Sequence, residues 1–114
     1  MSQIFVVEDI TANYILYESS PRLFSEVVKL FAEDHESFFA DYEFINDNDP
    51  TYTQFETAAA LVPEIEFILT NIAHMGDDDR LSGMSKKHAL SYFQNMKSYF
   101  TKHPDNHICC FVYP

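Results

Sequence analysis

Five histidines, two adjacent cysteines and eighteen carboxylates are the groups in this chain that could hold a metal or move a proton. Any base or metal ligand would come first from His35, His74, His88, His103 or His107. His35-Glu36 opens like the zincin helix H-E-x-x-H, but the fifth position is Phe39, so the second imidazole is missing. His103 and His107 keep a four-residue spacing, yet Pro104 stands between them and puts them across a helix-to-strand turn. With Cys109 or Cys110 they make a weak metal pair, short of the ligand set a zinc site needs. Cys109 and Cys110 are vicinal, so on a strand their thiols point to opposite faces. The reading is two reduced cysteines with one in the core, and neither a disulfide framework nor a CxxC redox site.

The carboxylates do not complete a known cation-binding loop. Asp47, Asp49 and Thr51 imitate the first ligands of an EF-hand, but Tyr52 occupies the glycine position and Ala58 the position of the bidentate glutamate. Asp77, Asp78 and Asp79 are followed by Arg80 and Leu81 with no later carboxylate at loop spacing. Glycine occurs only at positions 76 and 83, which excludes Gly-rich phosphate loops. Ser82 stands beside a glycine without the G-x-S-x-G elbow of a serine hydrolase. The expectation is therefore no enzyme, no cofactor and no metal.

The positive signal is the stretch from Glu33 to Glu56. Glu33, Asp34, Glu36, Asp41, Glu43, Asp47, Asp49 and Glu56 have no basic residue among them, and Phe38, Phe39, Tyr42, Phe44, Tyr52 and Phe55 are interleaved. Aromatic residues filling a core and acids solvating an outer face explain most of that pattern. They do not explain the missing lysines, because like charges at three- and four-residue spacing destabilise a helix. A single-sign surface is useful where a cationic partner relieves it, and tyrosines such as Tyr42 and Tyr52 then serve as interface anchors. The candidate contact set is Glu33, Asp34, Glu36, Asp41, Tyr42, Glu43, Asp47, Asp49 and Tyr52, joined by Asp77, Asp78 and Asp79.

The elements that must carry these residues follow from periodicity and punctuation. Gln3 to Val7 and Asn13 to Glu18 read as a strand pair around a loop from Glu8 to Ala12. Ser20-Pro21 opens a helix whose apolar face runs from Phe24 to Ile45, and Asn46 to Pro50 breaks it. Thr53 with Glu56 forms a T-x-x-E capping box for a second helix, which Pro63 should kink or restart and Gly76 should end in a left-handed cap. Ser85 caps a last helix with apolar positions Ala89, Tyr92, Phe93, Met96 and Phe100, and Pro104 stops it. His107 to Tyr113 is a near-continuous apolar strand, expected in a central or well-covered place and beside the first strand. Together these predict a single α+β domain over residues 1–114, with three to four helices on one face of an about three-stranded sheet.

Composition and charge bound the function. The 114 residues are 46% hydrophobic, with 11 Phe and 7 Tyr, which marks a folded chain despite a net charge of −11. The amino terminus lacks a signal-peptide pattern, and the apolar runs Ala58 to Val62 and Cys109 to Tyr113 are too short to cross a bilayer, so a cytoplasmic location is expected. Residues 1–79 hold 17 acids against Arg22 and Lys29, a charge of −15; the rest holds Asp105 against Arg80, Lys86, Lys87, Lys97 and Lys102, a charge of +4. Direct nucleic-acid binding is disfavoured, since phosphate needs a cationic surface.

The expectation is a small immunity or antitoxin-type protein that neutralises a basic toxin, most readily a nuclease, by covering its cationic active-site surface. The rivals are a DNA mimic that occupies a DNA-binding protein and a metal-dependent enzyme or sensor built on His103 and His107. A homo-oligomer joining acidic and basic parts is a structural alternative, and the sequence leaves monomer against homodimer open.

Overall fold

The computed structural model describes residues 4–11, 14–19, 26 and 54–113. Strands β1 (Ile4–Asp9), β2 (Tyr14–Ser19) and β3 (Gln54–Thr57) precede helix α1 (Ala58–Ala73). The short strands β4 (Arg80–Leu81) and β5 (Met84–Ser85), helix α2 (Lys86–Lys102) and strand β6 (His107–Tyr113) follow. The main sheet has the order β2-β1-β6-β3, with every pairing antiparallel. The last strand thus lies beside the first, and its interior position agrees with its apolar sequence.

The sequence shows how the helices bury themselves. Leu61, Ile65, Ile68 and Ile72 on α1 and Ala89, Phe93, Met96 and Phe100 on α2 share one spacing of four, three and four residues, which makes one stripe per helix. All eight are buried, and they form the core with Ala58, Leu81, Ile108 and Cys109. Lys86 Nζ donates to the Met75 carbonyl at 3.0 Å and Lys97 meets Glu66 at 3.4 Å. As one helix number rises the other falls, so α1 and α2 run antiparallel. Tyr17 of β2 meets Tyr92 of α2 edge-on, with ring centroids 5.5 Å apart, which seats the helix on the sheet. Ile108 and Cys109 are consecutive on β6 and both buried, so at this point the sheet is covered on both faces.

Several sequence expectations are corrected. Two helices stand among the described residues, not three to four. The expected helix from Pro21 to Ile45, the breaker from Asn46 to Pro50 and Thr53 lie outside the described residues, Glu26 apart. Glu56 does not close a capping box inside a helix: Gln54–Thr57 pairs with β6 as a fourth strand, and the helix starts only after Thr57. Thr57 makes no side-chain cap. The first amides of α1 are instead taken by the turn before β6, with Ala58 N–H on the Asn106 carbonyl at 2.9 Å and Ala59 N–H on that of Pro104 at 3.1 Å. A backbone cap from 45 residues away leaves no periodic trace in the local sequence.

Pro63 neither restarts nor ends α1, which continues through it to Ala73. The proline removes a single amide on the exposed side, and the buried stripe on the other side holds the helix together. Gly76 does not supply a left-handed cap. The helix ends at His74 in right-handed geometry, and among the described residues the positive φ values belong to Ser82 at 53° and Gly83 at 81°. These two form the turn of the β4–β5 hairpin, where a two-residue loop needs positive φ at both positions to match strand twist. Ser85 does cap α2, its Oγ accepting from His88 N–H at 3.2 Å, and α2 ends before Pro104 as expected.

Candidate functional site

Of the expected contact residues, Glu33, Asp34, Glu36, Asp41, Tyr42, Glu43, Asp47, Asp49 and Tyr52 lie outside the described residues. Asp77, Asp78 and Asp79 are described, and all three are exposed on the loop between α1 and β4. Their surroundings make them unequal. Asp79 Oδ2 accepts from Gly76 N–H at 2.8 Å while Asp79 N–H donates back to the Gly76 carbonyl at 3.0 Å, so this carboxylate closes the loop. Asp77 lies 3.8 Å from Lys86 Nζ, with its own side chain fully exposed. Asp78 has no hydrogen bond or ion pair among the described residues and is the acid of this loop most open to a partner.

Beside the loop runs a groove of about 560 Å³, lined by Asp77, Ser85, Lys86, Lys87, Leu90, Ser91 and Gln94. Its walls offer ammonium, hydroxyl, amide and carboxylate groups. They lack a histidine or cysteine that could pair with a hydroxyl as base or nucleophile, so the groove's chemistry is polar recognition. On the far side of the hairpin, Ser82 N–H donates to Glu26 Oε2, which ties an acid of the amino-terminal part to the β4–β5 turn. Lys86 and Lys97 each face an acid of α1 or its loop, so part of the basic carboxy-terminal charge is offset within the fold.

The histidine pair does not gather a metal set. His103 ends α2 and stacks on the Tyr99 ring with centroids 4.5 Å apart, whereas His107 begins β6, with its backbone N–H on Thr11 Oγ1 at 3.2 Å. Among the described residues no three His, Cys, Asp or Glu side chains come together as a metal cage. Cys109 is buried in the core. Ala58, at the position where an EF-hand would need its glutamate, is fully buried in the first turn of α1. Among the described residues, no helix is long and apolar enough to cross a membrane.

One charged residue escaped the sequence reading. Asp9, the last residue of β1, is fully buried. Its Oδ2 accepts from Tyr99 Oη at 2.9 Å and from Asn106 Nδ2 at 2.6 Å, and its Oδ1 from Thr11 N–H at 2.9 Å. One carboxylate thereby joins the β1–β2 turn, the end of α2 and the turn into β6. Ile10 N–H adds a bond to the His107 carbonyl at 3.0 Å across the same corner. The local signals are faint: the second of two acids closing a strand that opens with four apolar residues, and a tyrosine directly before the core residue Phe100. No protein-family model, no curated protein and no solved structure matches the chain.

Proposed function

We propose that this chain is a small acidic binding protein of the immunity or antitoxin kind, acting in the cytoplasm to neutralise a basic toxin. The observation that carries this reading is the run between Lys29 and Arg80, which holds 13 carboxylates and no lysine or arginine. Such a single-sign field raises the cost of folding and of self-contact, and a cationic partner removes that cost. A nuclease is the partner class that fits, because its substrate cleft must be cationic to hold phosphate.

In this mechanism Glu33, Asp34, Glu36, Asp41, Glu43, Asp47 and Asp49 steer the encounter and pair with lysines and arginines around the cleft. Tyr42 and Tyr52 supply desolvated contact area. The exposed Asp78, with Asp77 beside it, adds two more acids to the contact set, near the start of α2. No catalytic group is needed: inhibition follows from covering the cleft.

The test is inhibition of purified basic nucleases, RNases and DNases, by the purified chain, with association rates measured across salt concentration. Neutralising Asp41, Glu43, Asp47 and Asp49 together to Asn and Gln is expected to slow association at least about tenfold at low salt and to flatten its salt dependence. Unchanged rates for an inhibited nuclease would remove this site. Competition with DNA for several unrelated DNA-binding proteins, without nuclease inhibition, would replace the reading by a DNA mimic.

A further inference from the structure

The first turn of α1 lacks the usual internal supports. Its N-cap Thr57 makes no side-chain bond, and no acid stands in the turn to meet the positive end of the helix. Pro63 has no N–H to give the Ala59 carbonyl, so one of the bonds that would tie this turn to the rest of α1 is missing. Two of its amides are satisfied from outside instead. Ala58 N–H donates to the Asn106 carbonyl at 2.9 Å and Ala59 N–H to that of Pro104 at 3.1 Å. The turn therefore leans on the segment 103–107.

That segment is fixed from β1 and the turn after it. Asn106 Nδ2 donates to Asp9 Oδ2 at 2.6 Å, and because Asp9 is fully buried, water does not compete for the bond. Ile10 N–H on the His107 carbonyl at 3.0 Å and His107 N–H on Thr11 Oγ1 at 3.2 Å hold the far end of the segment. Asn106 thus works in two directions, its side chain on the sheet and its carbonyl on the first amide of α1.

We propose that residues 54–62 form a flap, hinged at Pro63 and clasped by the Asp9–Asn106 bond, that opens as a unit while the rest of the fold stays closed. Proline suits the hinge: with the flap open, Pro63 becomes the first helical residue, where its missing N–H costs nothing. Among the described residues β3 pairs with β6 alone, so the flap leaves without disturbing the order β2-β1-β6. Ile65, Ile68 and Ile72 lie beyond the hinge and stay in the core. Opening exposes the fully buried Ala58 and Leu61 and gives up the pairing of β3 with β6, so the open form is a minor population. Exposed Glu56, the last acid of the run from Glu33, rides on this flap. The inference does not depend on the proposed toxin-binding role.

Native-state hydrogen exchange of the full chain, read amide by amide by NMR, tests it. Protection factors at Ala58 and Ala59 are expected to lie at least about tenfold below those at Ile68 and Ile72. Asn106→Ala removes the clasp but keeps the backbone carbonyl, and should lower protection at Ala58 and Ala59 at least about fivefold more than at Ile68 and Ile72. Pro63→Ala restores the missing helix bond and should raise protection at Ala58 and Ala59 at least about tenfold. Far-UV circular dichroism establishes that the variants fold, and the Pro63→Ala result decides the question if Asn106→Ala does not. Equal protection of all four amides in the wild type, or an equal loss at all four in Asn106→Ala, would mean that only the whole fold opens and overturns the flap. Unchanged protection at Ala58 and Ala59 in Pro63→Ala overturns the hinge.

Discussion

Asp9 shows what a single residue can do in a chain already overloaded with acid. Burying a carboxylate is costly, and here the cost is met by donors from three separate segments, Thr11, Tyr99 and Asn106. Asp9→Ala leaves the Tyr99 hydroxyl and the Asn106 amide without this acceptor in the interior. It should lower stability by about 2–4 kcal/mol in urea unfolding followed by circular dichroism. Asp9→Asn keeps the shape but leaves one acceptor oxygen, so its NH₂ must face either Thr11 N–H or the Tyr99 and Asn106 donors, and its loss should fall between wild type and Asp9→Ala. Equal stability of all three proteins would show that the corner is held by the backbone bonds alone. Neither Asp9 nor Tyr99 was legible as a pair, because they stand 90 positions apart and nothing local marks a strand-end acid as buried.

At the scale of elements, most of the described secondary structure was legible. The apolar stripe and Ser85 cap of α2, its stop before Pro104, and the β6 bounds all follow from local pattern. The errors sit where a distant segment overrides it. Glu56 has the spacing of a capping residue, yet pairing with β6 draws Gln54–Thr57 into the sheet and moves the helix start past it. At Pro63 the sequence predicts a kink or a new helix start, because proline costs about 3 kcal/mol inside a helix. Burial of Leu61, Ile65, Ile68 and Ile72 outweighs that cost, at about 1.5–3 kcal/mol for each side chain. Pro63 is exposed, so replacing it removes little packing. Pro63→Ala should therefore raise stability by about 1–2 kcal/mol, after allowing for proline's restriction of the unfolded chain, and a higher urea midpoint at unchanged slope would register it. A lower midpoint would mean that the proline supports a contact of its own.

For the whole molecule, charge is the dominant global property. Among the described residues the ion pairs Lys86 with Asp77 and Lys97 with Glu66 relieve little of the repulsion behind a net charge of −11, because exposed pairs of this kind stabilise only weakly. Repulsion among the remaining acids should therefore outweigh them. At micromolar concentration, raising sodium chloride from about 20 mM to about 500 mM is expected to raise the melting temperature by a few degrees. A fall would show that the ion pairs matter more than the repulsion. The same field underlies the proposed binding of a basic nuclease.

The sequence by itself determined the acidic character, the α+β class, the apolar stripes of the two helices, the cap on α2 and the apolar final strand. Each of these is written in neighbouring residues, through periods of two or 3.6 and residue-specific backbone preference. Of the candidate contact set, Asp77, Asp78 and Asp79 lie among the described residues, and that they sit in a loop was legible in the sequence. Only the tertiary structure distinguished Asp79, which closes the loop, from Asp77 beside Lys86 and from the open Asp78. It alone placed β6 between β1 and β3, replaced the expected cap of α1 by the carbonyls of Pro104 and Asn106, and buried Asp9 against Tyr99. The physical reason is common to all three. Hydrogen-bonding groups are satisfied by whatever partner folding brings near, and when that partner is 45 or 90 residues away no local pattern records it.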